Sequence, residues 1–295
     1  MPDATHDPRF ARLYSEAIAA QNAADYPALR QIAGKMTELG NAGGEPALRA
    51  WGDYFLGIAL VFNNEASAAD RVLRRALAYF RESGDKLVAA RTMLNLAMIE
   101  VDINLNATAA RRLYEEAAPI IRENGDKTRL AILLGNLGEI DRLEGDYSAA
   151  LRNARESARL FKELGDHGRS VWQLVNIAHY QSLRRASADA IATMTEAYAE
   201  LRLDPIPRWI ALYFDVWVIL AGKLEQWETA AQLLGYVDKL RSDHSVPRLQ
   251  GMLPWLSSPM ERLASMLPQD RLHELFAAGE ALDVESAQAL ATRIF

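Results

Sequence analysis

An all-α chain of repeated helical hairpins is the fold this sequence predicts, and three observations predict it. Half of the 295 residues are apolar, glycine and proline number only 17 and 11, and the β-branched runs that favour strands are rare. A phrase recurs as Phe80-Arg81-Glu82-Ser83-Gly84-Asp85, Ile121-Arg122-Glu123-Asn124-Gly125-Asp126 and Phe161-Lys162-Glu163-Leu164-Gly165-Asp166, with intervals of 41 and 40. A second phrase recurs at the same intervals, as Leu94-Asn95-Leu96-Ala97, Gly135-Asn136-Leu137-Gly138 and Val175-Asn176-Ile177-Ala178. Such a period marks an array in which one supersecondary unit stacks on the next.

The elements follow in chain order. A degenerate unit runs from Pro8 to Asn41 around Asp25-Tyr26, and full units begin near Pro46, Lys86, Lys127, Gly168 and Pro207. Each Gly-Asp pair is a corner: glycine takes the left-handed conformation that ends a helix, and the aspartate caps the next one. A small-residue pair opens each second helix, at Ala68-Ala69, Ala109-Ala110, Ala149-Ala150, Asp189-Ala190 and Thr229-Ala230, because only small side chains let two helix backbones come close. In the unit from Lys127 to Asp166, Leu130, Leu133, Leu134, Leu137 and Ile140 follow helical spacing on the first helix. Tyr147, Ala150, Leu151, Ala154, Ala158 and Phe161 trace the stripe of the second. One hairpin cannot bury both stripes, whereas stacked neighbours can.

Two breaks interrupt the pattern. Asp204-Pro205-Ile206-Pro207 reads as a corner between units, and Ser245-Val246-Pro247 as the boundary to a last segment. Residues 1–245 are therefore expected to form the repeat array and 246–295 a helical cap packed on the last repeat. The longest apolar stretch, Trp209 to Ala221, is short for a membrane span and holds Asp215, so it reads as a buried core helix.

Composition also sets exclusions. The formal charge of −6 arises from 33 basic and 39 acidic residues that are interspersed, which leaves no basic stripe for direct nucleic-acid binding. Cysteine is absent, so neither disulfides nor thiolate zinc sites are expected. The polar start lacks a signal-peptide profile, and a cytoplasmic location is expected, with no membrane segment. The five histidines, His6, His167, His179, His244 and His273, lack metal-site spacing, and His167 and His273 are expected at helix ends in water. Gly34-Lys35-Met36 and Gly222-Lys223-Leu224 fail the phosphate-loop pattern. No supported nucleophile constellation is found, so the expectation is a chain without enzymatic activity or cofactor.

The string Asn136-Leu137-Gly138, followed by Gly145-Asp146-Tyr147 and Ala150, resembles the tetratricopeptide consensus. The usual repeat is ~34 residues, and the longer period here resembles the extended repeats of MalT-like bacterial regulators. Ala230-Ala231-Gln232-Leu233-Leu234-Gly235 and the later run from Gly279 to Ala287 are similar to the C-terminal stretch of the helical-repeat region in LuxR-type and AfsR-type ATP-dependent transcriptional activators. A generic cap over the apolar end of the array explains the same residues. The resemblance implies a right-handed superhelical solenoid of about six hairpins with a C-terminal helical cap. It implies the sensor portion of such a regulator, since the phosphate loop and a separate helix-turn-helix are missing.

By the same resemblance, Asn95, Asn136 and Asn176 would face an inner groove, where an amide can donate to and accept from a peptide backbone at once. Flanking first-helix positions would line the concave surface: Trp51, Tyr54, Ile58 and Phe62; Arg91 and Met98; Glu139 and Arg142; Trp172 and His179. Aromatic residues and Met beside isolated charges suit a peptide with apolar anchors and a polar frame. Alternatives stay open, namely that the asparagines bond neighbouring helices, that Trp51 and Trp172 pack between hairpins, and that Tyr54 and Phe62 belong to the core. The expected partner is a protein or peptide. A small-molecule effector enclosed near Trp51, Trp172 and His179, or a self-assembling scaffold forming a homo-oligomer, are the competing readings.

Overall fold

The computed structural model describes residues 8–294 other than 24, 64, 103–105 and 249–252. These residues form fifteen α-helices and no strand. The hairpins are α1 (Pro8–Asn22) with α2 (Tyr26–Gly43), α3 (Pro46–Phe62) with α4 (Ala66–Glu82), and α5 (Lys86–Asp102) with α6 (Ala107–Glu123). They continue with α7 (Lys127–Leu143) and α8 (Tyr147–Glu163), α9 (His167–Leu183) and α10 (Ser187–Leu201), and α11 (Pro207–Lys223) and α12 (Trp227–His244). The last three helices are α13 (Leu253–Met266), α14 (Gln269–Glu280) and α15 (Val284–Ala291).

The period now has a physical origin. Two 17-residue helices and two three-residue corners make up the unit from Lys127 to Asp166, so helix length alone stretches the repeat. The corners are built as the Gly-Asp pairs require: Gly84, Gly125, Gly145 and Gly165 have φ of 77°, 67°, 82° and 69°. The aspartates that follow cap the next helix, with Asp146 accepting from Ala149 N at 2.9 Å and Asp166 from Arg169 N at 3.0 Å. Forty and eighty residues beyond Gly145, Arg185 and Glu225 occupy the left-handed region, with φ of 61° and 59°. A side chain there costs about 1–2 kcal/mol, so these two corners are held by the packing around them.

Close helix approach is equally local. Ala69, Ala110, Ala150, Ala190 and Ala230 are all fully buried, and a Cβ on Gly138 would lie 3.2 Å from the Ala150 carbonyl oxygen.

By internal contacts the chain divides into two compact units, the first ending at Leu133 and the second beginning at Leu134, within α7. In the first unit the core centres on an aromatic cluster. Trp51 meets Tyr14 edge-on at 4.9 Å and Phe80 at 5.2 Å, and Phe55 and Tyr54 at 5.7 Å each. Ion pairs tie successive helices, with Arg75 on buried Asp53 at 2.6 Å and Arg74 on Glu100 at 2.9 Å.

In the second unit α11 is buried from Ile210 to Gly222, and α13, α14 and α15 pack on α11 and α12. The α12–α14 contact needs glycine on both sides: a Cβ on Gly235 would sit 2.4 Å from the Phe276 carbonyl oxygen, and one on Gly279 2.0 Å from that of Gln232. Tyr213 Oη donates to Gln288 Oε1 at 2.8 Å, fixing α15 on α11. At the end of α12, Arg241 pairs with the fully buried Asp215 and donates to the Pro247 carbonyl at 2.8 Å. Burial pushes the Asp215 carboxyl up to about 6 against the pull of Arg241. No helix among the described residues is long and apolar enough to cross a membrane.

Candidate binding face of the first helices

The 40- and 41-residue intervals place equivalent residues on successive first helices. One series is Trp51, Arg91, Ile132 and Trp172; the next is Phe55, Asn95, Asn136 and Asn176; the third is Ile58, Met98, Glu139 and His179. Within a helix these stations are three or four residues apart, so each set lies on one face.

In the first unit this face is largely consumed by structure. Trp51 and Tyr54 are each 4% exposed, inside the aromatic cluster, and Ile58 is buried as well. Burial raises the Tyr54 hydroxyl above its usual range, while Arg129 and Arg91 pull it back. Packing between helices, one of the alternatives above, is where the structure places these two rings. Phe62 differs: it stands at the surface, stacked on Tyr26 with centroids 4.2 Å apart. Arg91 is held by Asp126 at 2.9 Å, and the Asn95 amide donates to the Arg91 carbonyl on its own helix at 3.2 Å. Met98 is half-buried.

In the second unit the face is polar. On α7, Asn136 is half-buried and Glu139 accepts from Arg142 through three contacts of 2.6–2.9 Å. On α9, the fully buried Tyr180 reaches across to donate to Glu139 Oε2 at 3.0 Å, which joins the two helices. Burial pushes that phenol far above its normal range, reinforced by the Glu139 charge. Asn176 is 5% exposed, and its amide makes no hydrogen bond with another described residue. Trp172 is half-buried and meets Trp209 edge-on at 6.4 Å. His179 is 5% exposed. Burial lowers its pKa to about 3, aided by the positive charges of Lys223 and Arg142, so the ring is neutral at physiological pH.

Sequence reasoning missed four members of this neighbourhood: Tyr180, Gln173, Ser182 and Lys223. Gln173 packs against Gly135, where a Cβ would lie 2.6 Å from its amide nitrogen, and its Oε1 is buried without a hydrogen-bond partner. The period itself could have found Ser182, which lies 40 residues beyond Arg142, whereas Lys223 falls one residue past the next equivalent station, Gly222. His167 begins α9, at a helix end as expected, but it is not left to water: its Nδ1 lies 2.9 Å from the buried Glu200, which also takes Lys162 at 2.7 Å. Burial would raise that carboxyl, but the hydrogen bonds from His167 and Lys162 hold it below its usual value. No cluster of three or more metal-ligating side chains occurs among the described residues.

Residues 89–163 match the family described as tetratricopeptide repeat. The chain carries tetratricopeptide-type helical hairpins. No curated protein matches the sequence. Among solved structures, the apo form of RapI is similar over 96% of this chain and 99% of its own, with a TM-score of 0.65 at 12% identity. A Rap conjugation gene regulator of the plasmid pLS20, solved in complex with the Phr* peptide, is similar over 90% of this chain and 80% of its own (TM-score 0.54, 13% identity). BtubC from P. vanneervenii covers 66% of this chain with 90% of its own (TM-score 0.51, 16% identity). At these identities the likeness is one of fold, an all-α array of tetratricopeptide-like hairpins.

Proposed function

We propose that the chain is a cytoplasmic, non-catalytic binding module of a bacterial regulatory system. On this reading it recognises a peptide or a protein segment on the first-helix face of α7 and α9. The observation that carries this reading is the Asn176 amide, almost covered by protein yet without a hydrogen bond to any other described residue. A buried amide is rarely left without partners, and a peptide backbone offers both a donor and an acceptor. Around it Glu139, Arg142 and Tyr180 are already bonded to one another, so the frame is preorganised and Asn176 is its open position. Asn136 and Trp172 flank it as further contacts.

One comparison supports the reading: the pLS20 Rap regulator was solved with a peptide. The resemblance of the C-terminal stretch to the sensor region of LuxR-type and AfsR-type activators, read from the sequence, suits a regulatory role. The test is affinity selection from a synthetic library of short random peptides on the full chain. Enriched peptides should bind the Asn176→Ala variant about tenfold to a hundredfold more weakly, at an unchanged melting temperature. A library from which nothing is enriched, or peptides indifferent to Asn176→Ala, would overturn the proposal.

A further inference from the structure

A hollow in the second unit lies on another face of α9 from Asn176. It is a cleft of about 300 Å³ between α8 and α10, with α9 as its floor. From α9 it takes Ser170, Leu174, Ile177 and Gln181, spaced four, three and four residues apart and so on one side of the helix. The two ends are about 16 Å apart along the axis, at ~1.5 Å per residue. Such a volume is at the lower end of small-molecule sites, and a further helix, about 10 Å across with its side chains, would not fit.

The middle of the cleft is apolar, with Leu174 and Ile177 below and Ala158 of α8 beside them. Its two ends are polar, and the protein leaves both incomplete. At one end Ser170 is 1% exposed, and its hydroxyl bonds no other described residue. At the other Gln181 is 5% exposed; its Oε1 accepts from Thr193 Oγ1 at 2.9 Å, while its Nε2 donates to no described residue. Buried polar groups are rarely left in this state, and here two of them line one cleft.

The rim charges are unequal along the same axis. Lys162, at the Ser170 end, is held from α10 by Glu200 at 2.7 Å and Glu196 at 3.8 Å, and Arg159 pairs with Glu163. Arg155 lies two turns of α8 away, toward Gln181, and has no carboxylate partner among the described residues. One open guanidinium beside an open amide suits a single negative charge. A carboxylate meets that count, whereas a phosphate monoester brings about −1.5 to −2.

We propose that this cleft binds an elongated small molecule with a carboxylate at one end, an apolar middle and a hydroxyl or carbonyl at the other. The carboxylate takes Arg155 and the Gln181 amide, the chain lies on Leu174, Ile177 and Ala158, and the far polar group bonds Ser170. The cleft is separate from the peptide face, so neither reading depends on the other.

Calorimetric titration of the full chain with 10-hydroxydecanoate tests this, with decanoate and 1,10-decanediol as analogues that each lack one end group. The hydroxy acid should bind one-to-one, about tenfold to a hundredfold tighter than the diol and about threefold to tenfold tighter than decanoate. Arg155→Gln should erase the first advantage and Ser170→Ala the second. Arg155 is exposed and the Ser170 hydroxyl has no described partner to strand, so both variants should keep the parent's melting temperature. A hydroxy acid that fails to bind, or that binds both variants as it binds the parent, overturns the site. Acids that leave the cleft empty while Arg155→Gln weakens selected peptides overturn it too, because the occupant is then a side chain of a peptide partner.

Discussion

The same station of the repeat is filled in opposite ways in the two units. Where α3 places Phe55, fully buried against Tyr14 and Trp51, α9 places Asn176 with an amide that no other described residue bonds. Where α3 places Trp51 among four other rings, α9 places a half-buried Trp172 against one ring among the described residues, that of Trp209. The difference teaches that the period dictates geometry but not use. One hairpin spends its first-helix face on packing, and another keeps polar chemistry there.

The strongest way to break this comparison is to truncate both tryptophans. Trp51→Ala should destabilise the protein by about 3–5 kcal/mol, the range for an aromatic removed from a packed core, and should leave peptide affinity per folded molecule unchanged. Trp172→Ala should cost less stability and more affinity. Equal losses of denaturation midpoint for the two variants would show that the stations are alike after all.

Acid sharpens the contrast next, because His179 stands where α3 and α5 place Ile58 and Met98. Its folded pKa is depressed to about 3, below the ~6.5 of an unfolded histidine. The neutral ring therefore contributes stability that is complete above pH 6.5 and is lost as pH falls toward 3. At pH 5 the loss should reach about 2 kcal/mol. Chemical denaturation of the parent and of His179→Gln at pH 7 and pH 5 measures it. A His179→Gln variant with the same pH dependence as the parent would remove His179 from the account.

Much of the architecture was legible because its causes are local. Gly-Asp corners, small residues at helix crossings and 17-residue amphipathic stretches each act within a few positions, and their period betrays them. Ala150→Leu tests that legibility: its overpacking against Gly138 should cost about 1–3 kcal/mol, while Arg152→Ala, at the exposed surface, should change the midpoint within about 0.5 kcal/mol. Matching melting temperatures would mean that the α7–α8 crossing lies elsewhere.

The site was less legible because burial and charge balance are not periodic. Nothing in the sequence separated Trp51 from Trp172, since the difference lies in how many rings surround each. Glu200 gave no signal either, being ordinary in its own helix and matched only by His167 and Lys162 from another hairpin. Arg185 and Glu225 were equally hidden, for their left-handed backbones follow from the glycine positions they replace. Lys223 was passed over as part of a failed phosphate-loop pattern, and the period does not point to it, because the station 40 residues beyond Ser182 is Gly222.

The smallest effect is expected at Asn95, and it separates the two units most finely. Its amide already donates to the Arg91 carbonyl one turn back, a bond that returns little to stability because that carbonyl also belongs to the helix ladder. Asn95→Ala should therefore shift the denaturation midpoint by less than about 0.5 kcal/mol. It should also leave the affinity for selected peptides within about twofold, since the amide is already turned back onto its own helix. Asn176→Ala should have the same small effect on folding for the opposite reason, its amide having no partner among the described residues to strand, but it should lose affinity. Measured side by side, the pair distinguishes a ladder that binds along its whole length from one that binds through the second unit alone. A loss of affinity at Asn95 equal to that at Asn176 would extend the binding face to α5 and undo the contrast drawn between the two units.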